Sequence, residues 1–111
     1  YIPAQSEPEQ SRYVFAYTIT IRNNGAQAMQ LLHRNWLITD ADGKITEVEG
    51  PGVVGQQPHI QPGSAFEYTS GTVLDTPLGV MQGSYTMQAT DKTLHQVAIS
   101  PFRLALPNLL H

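Results

Sequence analysis

The chain has no cysteine, which excludes disulfide staples, thiolate zinc sites and cysteine nucleophiles together. It is also poor in positive charge, with six Lys and Arg against nine Asp and Glu and a formal net charge of −3. Nucleic acid requires a clustered basic face to neutralise phosphate, and six scattered cations do not make one. No apolar run approaches the ~20 residues that cross a bilayer as a helix. The opening Tyr1-Ile2-Pro3-Ala4-Gln5-Ser6 lacks both the basic start and the apolar stretch of an export signal. The expected setting is therefore the cytoplasm, without membrane or nucleic acid as partner. A start at Tyr1 rather than Met reads as part of a longer gene product.

What is present describes a globular protein. Hydrophobic residues make up 41% of the 111 and charged residues only 14%, consistent with one domain spanning 1–111 and one core. Tyr1–Gln5 reads as a short edge strand and Ser6–Ser11 as loop. From Tyr13 the pattern sharpens: Tyr13, Phe15, Tyr17, Ile19 and Ile21 alternate with Val14, Ala16, Thr18, Thr20 and Arg22, the period of a strand. Asn23-Asn24-Gly25 is a turn. A second strand is expected over 29–39, with Leu31, His33, Asn35 and Leu37 on one face and Leu32, Arg34, Trp36 and Ile38 on the other. Apolar residues on both faces predict an internal strand partly covered on each side; helical spacing over 26–38 is the alternative.

Further on, Asp40-Ala41-Asp42-Gly43-Lys44 predicts a turn with glycine in the left-handed position. Ile45–Glu49 closes a hairpin, and Ala65–Val73 and the stretch around Met81–Ala89 alternate as strands. Leu94–Ile99 is a strand that Pro101 ends, followed by a last strand from Phe102 to Leu106. The apolar tail Asn108-Leu109-Leu110-His111 is expected to pack back. Seven to nine short strands with regular turns describe an all-β, antiparallel sandwich of the immunoglobulin or fibronectin type III kind. Trp36 would fill its core.

Between the two strand-rich halves lies Glu49–Gly63, which holds four of the nine glycines and three of the eight prolines. It includes Gly50-x-Gly52-x-x-Gly55, the spacing of a dinucleotide-binding turn, and Asp75 stands twenty residues past Gly55, where a ribose-binding acid would. That motif needs a helix to follow, and Gln56-Gln57-Pro58 argues against one. A nest of loop amides at Gly50, Gly52 and Gly55 remains the phosphate-binding alternative. The favoured expectation is a partner-binding loop made by Gly50, Gly52, Val53, Val54, Gly55, Gln57 and Pro58. Val53 and Val54 either present an apolar surface or fold back over the sandwich edge.

Several longer segments resemble the bacterial ApaG proteins. They include Arg12-Tyr13-Val14-Phe15-Ala16-Tyr17-Thr18-Ile19-Thr20-Ile21-Arg22-Asn23 and Leu31-Leu32-x-Arg34-x-Trp36-Leu37-Ile38-Thr39. Gly52-Val53-Val54-Gly55-x-Gln57-Pro58, Tyr68-Thr69-Ser70-Gly71, Thr76-Pro77-Leu78-Gly79-x-Met81-x-Gly83-x-Tyr85 and Phe102-Arg103-Leu104 continue the match in order along nearly the whole chain. The resemblance implies a fibronectin type III-like sandwich without established enzymatic activity. In enteric bacteria the family is associated with cobalt tolerance and magnesium efflux. Similar domains in eukaryotic F-box proteins and a DNA-polymerase-delta-interacting protein imply a protein-interaction module. None of this gives a named residue a role.

The remaining candidate chemistry is thin. His33, His59, His95 and His111 show no local metal-ligand spacing. Asp40 with Asp42, and Glu47 with Glu49 on one strand face, are acid pairs of the kind usually found solvated. Ser70 and Ser84 lie outside any Gly-x-Ser-x-Gly elbow. No catalytic residue, metal site or cofactor is therefore expected. The expected function is a non-enzymatic interaction module with an unidentified protein partner. The alternative is a protein binding phosphate compounds or divalent cations, linked to cobalt and magnesium homeostasis. An exposed strand could also pair two copies of the chain.

Overall fold

A computed structural model describes residues 1–107; the tail 108–111, expected to pack back, lies outside the described residues. Seven strands follow two 3₁₀ turns: β1 Tyr13–Arg22, β2 Met29–Asp40, β3 Ile45–Pro51, β4 His59–Ile60, β5 Ala65–Leu74, β6 Leu78–Ala89 and β7 Leu94–Ala105. They form two antiparallel sheets. One is the ribbon β1-β5; the other runs β3-β2-β6-β7, with β4 also pairing β2. No helix among the described residues is long and apolar enough to cross a membrane.

The alternation read in β1 is what builds the ribbon. Phe15 is buried on the inner face, flanked by partly buried Tyr13, Tyr17, Ile19 and Ile21, while Ala16, Thr18 and Thr20 face solvent. On the outer face Thr18 and Thr69 hydroxyls pair at 2.8 Å and the Thr20 hydroxyl donates to Glu67 at 3.0 Å. Two buried clusters fill the space between the sheets. One contains Phe15, Trp36, Ile38, Leu74, Met81 and Leu104; the other contains Leu31, Val53, Ile60, Tyr68, Tyr85 and Met87. Trp36 meets Tyr17, Tyr85 and Phe102 edge-on, at centroid separations of 5.6–6.3 Å. Fully burying one such large apolar side chain contributes roughly 1.5–3 kcal/mol.

Two expectations about strands change. Leu31 and Trp36 have opposite parity yet both are buried, because the β2–β6 register slips between Leu31 and His33. Leu32 is the extra residue of a bulge, which reverses the alternation. The strand is internal, as expected, but Leu31, Trp36 and Ile38 serve one core face despite their opposite parities, while Leu37 is half-buried outside both core clusters. In β7, Ser100 and Pro101 together oppose Gln82, so Pro101 sits in a second bulge and does not end the strand. An edge strand tolerates this, since its outer N–H positions need no partner.

The N-terminal segment also differs. Tyr1–Gln5 is not an edge strand: Pro3–Gln5 forms a 3₁₀ turn, with only the Ile2 amide reaching the Val14 carbonyl at 2.8 Å. Pro3 has no N–H to give a ladder and its ring fixes φ for the turn. The Ser6 hydroxyl closes the arrangement, donating to the Ile2 carbonyl at 2.7 Å and accepting the Val14 amide at 2.9 Å.

Candidate functional site

The segment singled out in the sequence is largely woven into the sheet. β3 continues through Gly50 and Pro51, which pair with Arg34 and His33. β4 then pairs with β2 at Met29 and Gln30, past the bulge. Residues 52–58 bridge the two at the point where the bulge breaks the ladder. The carbonyl of Leu32, the bulged residue, accepts the Gly52 amide at 2.9 Å and the Gln57 side-chain amide at 3.0 Å. Leu31 donates its amide to Pro58 at 3.0 Å.

At the tip, Val53 and Gln56 exchange both backbone hydrogen bonds, at 2.8 and 2.9 Å. Val54 and Gly55 lie between them with φ of 44° and 77°, the pair of positive angles that defines a type I′ turn. Gly55 suits this geometry; Val54 does not, because a β-branched side chain in the left-handed region is strained. Gly52 has φ 62° as well, and a Cβ there would run into the Gln56 carbonyl. The two valines divide the readings offered by the sequence. Val53 is fully buried in the second core cluster, whereas Val54 is 49% exposed.

No helix follows Gly55, and the amides of Gly52, Val53 and Gln56 are already donated within the protein. Asp75, at the spacing of a ribose-binding acid, lies in the turn before β6 and away from Gly50–Gly55. Its carboxylate pairs with the Lys44 ammonium at 3.2 Å, and Thr76 performs the local capping, accepting the Ala41 amide and donating to the Leu78 carbonyl. His33, His59 and His95 are not brought together: among the described residues no group of three or more His, Asp or Glu could share a metal. Glu47 and Glu49 are exposed on β3, and Asp40 accepts the Asp42 and Lys44 amides within its turn.

Beneath the turn lies a cleft of about 170 Å³ lined by Tyr17, Arg34, Trp36, Val53, Val54, Gly55, Tyr68 and Ser70. It draws on both sheets: Tyr17 and Ser70 are register partners on the ribbon, and Arg34 is the register partner of Tyr85 on β6. Arg34 Nη1 donates to the carbonyls of Pro51 and Gly52 at 3.1 and 3.0 Å, tying the turn to β2. The Tyr68 and Tyr85 hydroxyls hydrogen-bond to each other across the sandwich. Burial pushes both phenols above the usual tyrosine range; for Tyr85 the bond to Tyr68 adds to the rise. Both remain neutral hydroxyls at physiological pH.

Arg34 and Tyr17 stood in the sequence only as members of strand segments and Ser70 as a serine outside any nucleophile elbow; none was expected to line a site. The available signal was an arginine sharing the alternation face of Trp36 and Ile38, where a strand in a sandwich ordinarily carries apolar residues.

The comparisons with known proteins agree with this fold. The model of the ApaG domain matches residues 3–89. Protein ApaG from Shewanella sp. (strain MR-7) is 60% identical over all 111 residues, which cover 88% of its length. The namesake from Azotobacter vinelandii is 58% identical with the same coverage. Among solved structures, the putative ApaA protein from Bordetella pertussis superposes with a TM-score of 0.93 at 48% identity, over 96% of this chain and 87% of that one. A structural-genomics X-ray structure gives 0.92 at 56% identity, over 96% of this chain and 81% of the other. The chain belongs to the ApaG domain family.

Proposed function

We propose that this domain is a non-enzymatic, cytoplasmic binding module for another protein, and that the turn at Gly52–Gly55 forms the centre of its contact surface. The observation that supports this reading most directly is Val54. An apolar residue stands half-exposed at the tip of a turn, in a backbone conformation that costs its side chain energy. Its neighbours keep it there: Val53 is anchored in the core, Arg34 holds Pro51 and Gly52, and Gln57 holds Leu32. A contact residue fixed before binding loses little entropy when the complex forms. Gln57 and Pro58 extend the surface beside it, while Gly50, Gly52 and Gly55 shape the backbone. The absence of cysteine suits a reducing compartment.

The test is photocrosslinking in cells with p-benzoylphenylalanine at position 54, or at position 42 in the turn at the other end of β3. Discrete protein adducts from position 54 only, abolished by competition with the unlabelled domain but not with its Val54→Asp variant, are expected. Equal adducts at both positions overturn the assignment of the surface. Saturable amide shifts at Gly50, Gly52 and Gly55 with ATP and Mg²⁺, or selective broadening around His33, His59 and His95 with Co²⁺, replace it with the ligand-binding alternative.

A further inference from the structure

A charged group on the inner face of a sandwich loses hydration, and folds usually restore it with a counter-ion or keep the position apolar. Arg34 follows neither course. It lies on the inner side of β2 between buried Leu31 and Trp36, and the one ion pair among the described residues, Lys44–Asp75, is elsewhere. Nη1 is committed to the Pro51 and Gly52 carbonyls, and the guanidinium rests against Gly50, where a Cβ would come within 3.3 Å of Nη1 and Nη2. Nε and Nη2 have no protein acceptor among the described residues.

The same cleft is lined by Tyr17 and Ser70, and neither hydroxyl hydrogen-bonds to protein among the described residues. The Tyr68–Tyr85 pair uses one of its two hydroxyl protons internally and retains one. The cleft thus collects hydrogen-bond donors around one fixed positive charge, with no carboxylate between them. Its rim carries the exposed Val54.

We propose that this cleft receives a carboxylate presented by a protein partner next to an apolar side chain. Arg34 supplies the charge through its free edge, Tyr17 and Ser70 supply further donors, and Val54 packs on the apolar neighbour. A guanidinium edge matches the two oxygens of a carboxylate. One cation in a protein of net charge −3 suits a monoanion better than a phosphate dianion. The inference rests on the reading of the domain as a protein-binding module and names the chemistry that module recognises.

Trp36 is the single tryptophan and lines the cleft, so its fluorescence reports occupancy directly. The probes are N-acetyl-leucine, its neutral amide, N-acetyl-glutamic acid α-amide and inorganic phosphate, at constant ionic strength. N-acetyl-leucine should bind with a dissociation constant on the order of millimolar, shifting Trp36 emission and the Val53–Gln56 amides. Its amide should bind at least tenfold more weakly, and preference between the two acids tells a terminal carboxylate from a side-chain one. Arg34→Gln should abolish the response. Because that change also loosens the turn, Tyr17→Phe and Ser70→Ala provide the independent arm, each weakening binding several-fold with the remaining amide spectrum unchanged. Equal binding of acid and amide, or indifference to Tyr17→Phe and Ser70→Ala, overturns the site. Phosphate binding as tightly as either acid overturns the carboxylate class. Failure of all probes while crosslinking from position 54 persists removes the cleft and leaves the module; loss of crosslinking with carboxylate binding intact removes the module alone.

Discussion

The two ends of β3 carry turns of opposite character. At its start, the Asp40 carboxylate accepts the amides of Asp42 and Lys44, both at 2.9 Å, and Gly43 takes φ 83° in open space. Each residue there suits its conformation. At its end, a valine occupies a left-handed angle and Gly52 is boxed against the Gln56 carbonyl. A strained turn persists only where its surroundings over-determine it, at a cost of about 1–3 kcal/mol per residue. Here the surroundings are the buried Val53 below and the Arg34 hydrogen bonds beside it. The relaxed turn merely reverses a hairpin, whereas the strained one roofs the donor-lined cleft.

Substitutions at paired positions can break that comparison. The largest contrast is between Gly52→Ala and Gly43→Ala. The first adds left-handed strain and a backbone collision, and should destabilise by about 3 kcal/mol or more in urea unfolding. The second adds strain alone, about 1 kcal/mol. Equal losses would mean that Gly52 is not confined. Next, Val53→Ala should cost about 2 kcal/mol through lost burial and the cavity left behind, while Ile45→Ala on exposed β3 should stay within about 0.5 kcal/mol.

A third contrast uses pH. The folded state raises the Tyr68 and Tyr85 pKa values above the ordinary 10.0, so it holds those protons more tightly than the unfolded chain. Their contribution to stability is complete below pH 10 and is lost as pH rises toward the folded values. The slope cannot exceed about 1.4 kcal/mol per pH unit for each tyrosine. Tyr85→Phe should flatten the alkaline limb of a stability profile, and an unchanged limb would remove the pair as its source. The smallest effect belongs to Val54→Gly, which relieves strain but adds chain entropy, for a net gain of about 0.5 kcal/mol. Added as unlabelled competitor, that variant should nevertheless fail to displace the partner crosslinked from position 54, separating stability from contact.

Much of the fold was legible because β5 alternates throughout and β1 departs from alternation only at buried Val14, and because Gly43 lies in an aspartate-rich turn. β2 was harder. The one-residue insertion at Leu32 inverts parity midway, and a pattern of fixed period reads the inversion as two apolar faces. Pro101 looked like a terminator because sequence does not reveal that its strand lies at a sheet edge. The glycines of residues 50–55 drew attention by spacing, yet Gly52 and Gly55 answer local backbone demands and Gly50 makes room for the Arg34 guanidinium. The cleft was invisible because Tyr17, Arg34 and Ser70 are 17 and 36 residues apart in chain order, and Arg34 meets the Tyr17–Ser70 pair only across the two sheets.

By itself the sequence determined the family, the all-β class and the faces of the regular strands, since these depend on side-chain order at a period of two. Asn23 shows what only tertiary structure decided. Its buried side chain donates to the Gln27 and Ile60 carbonyls at 2.7 and 2.8 Å, holding the passage from β1 to β2 as the chain leaves one sheet for the other. Which sheet a strand joins, which valine of a pair is buried and whether an arginine keeps a free edge all depend on contacts between residues far apart in the chain. Local propensity carries no term for them.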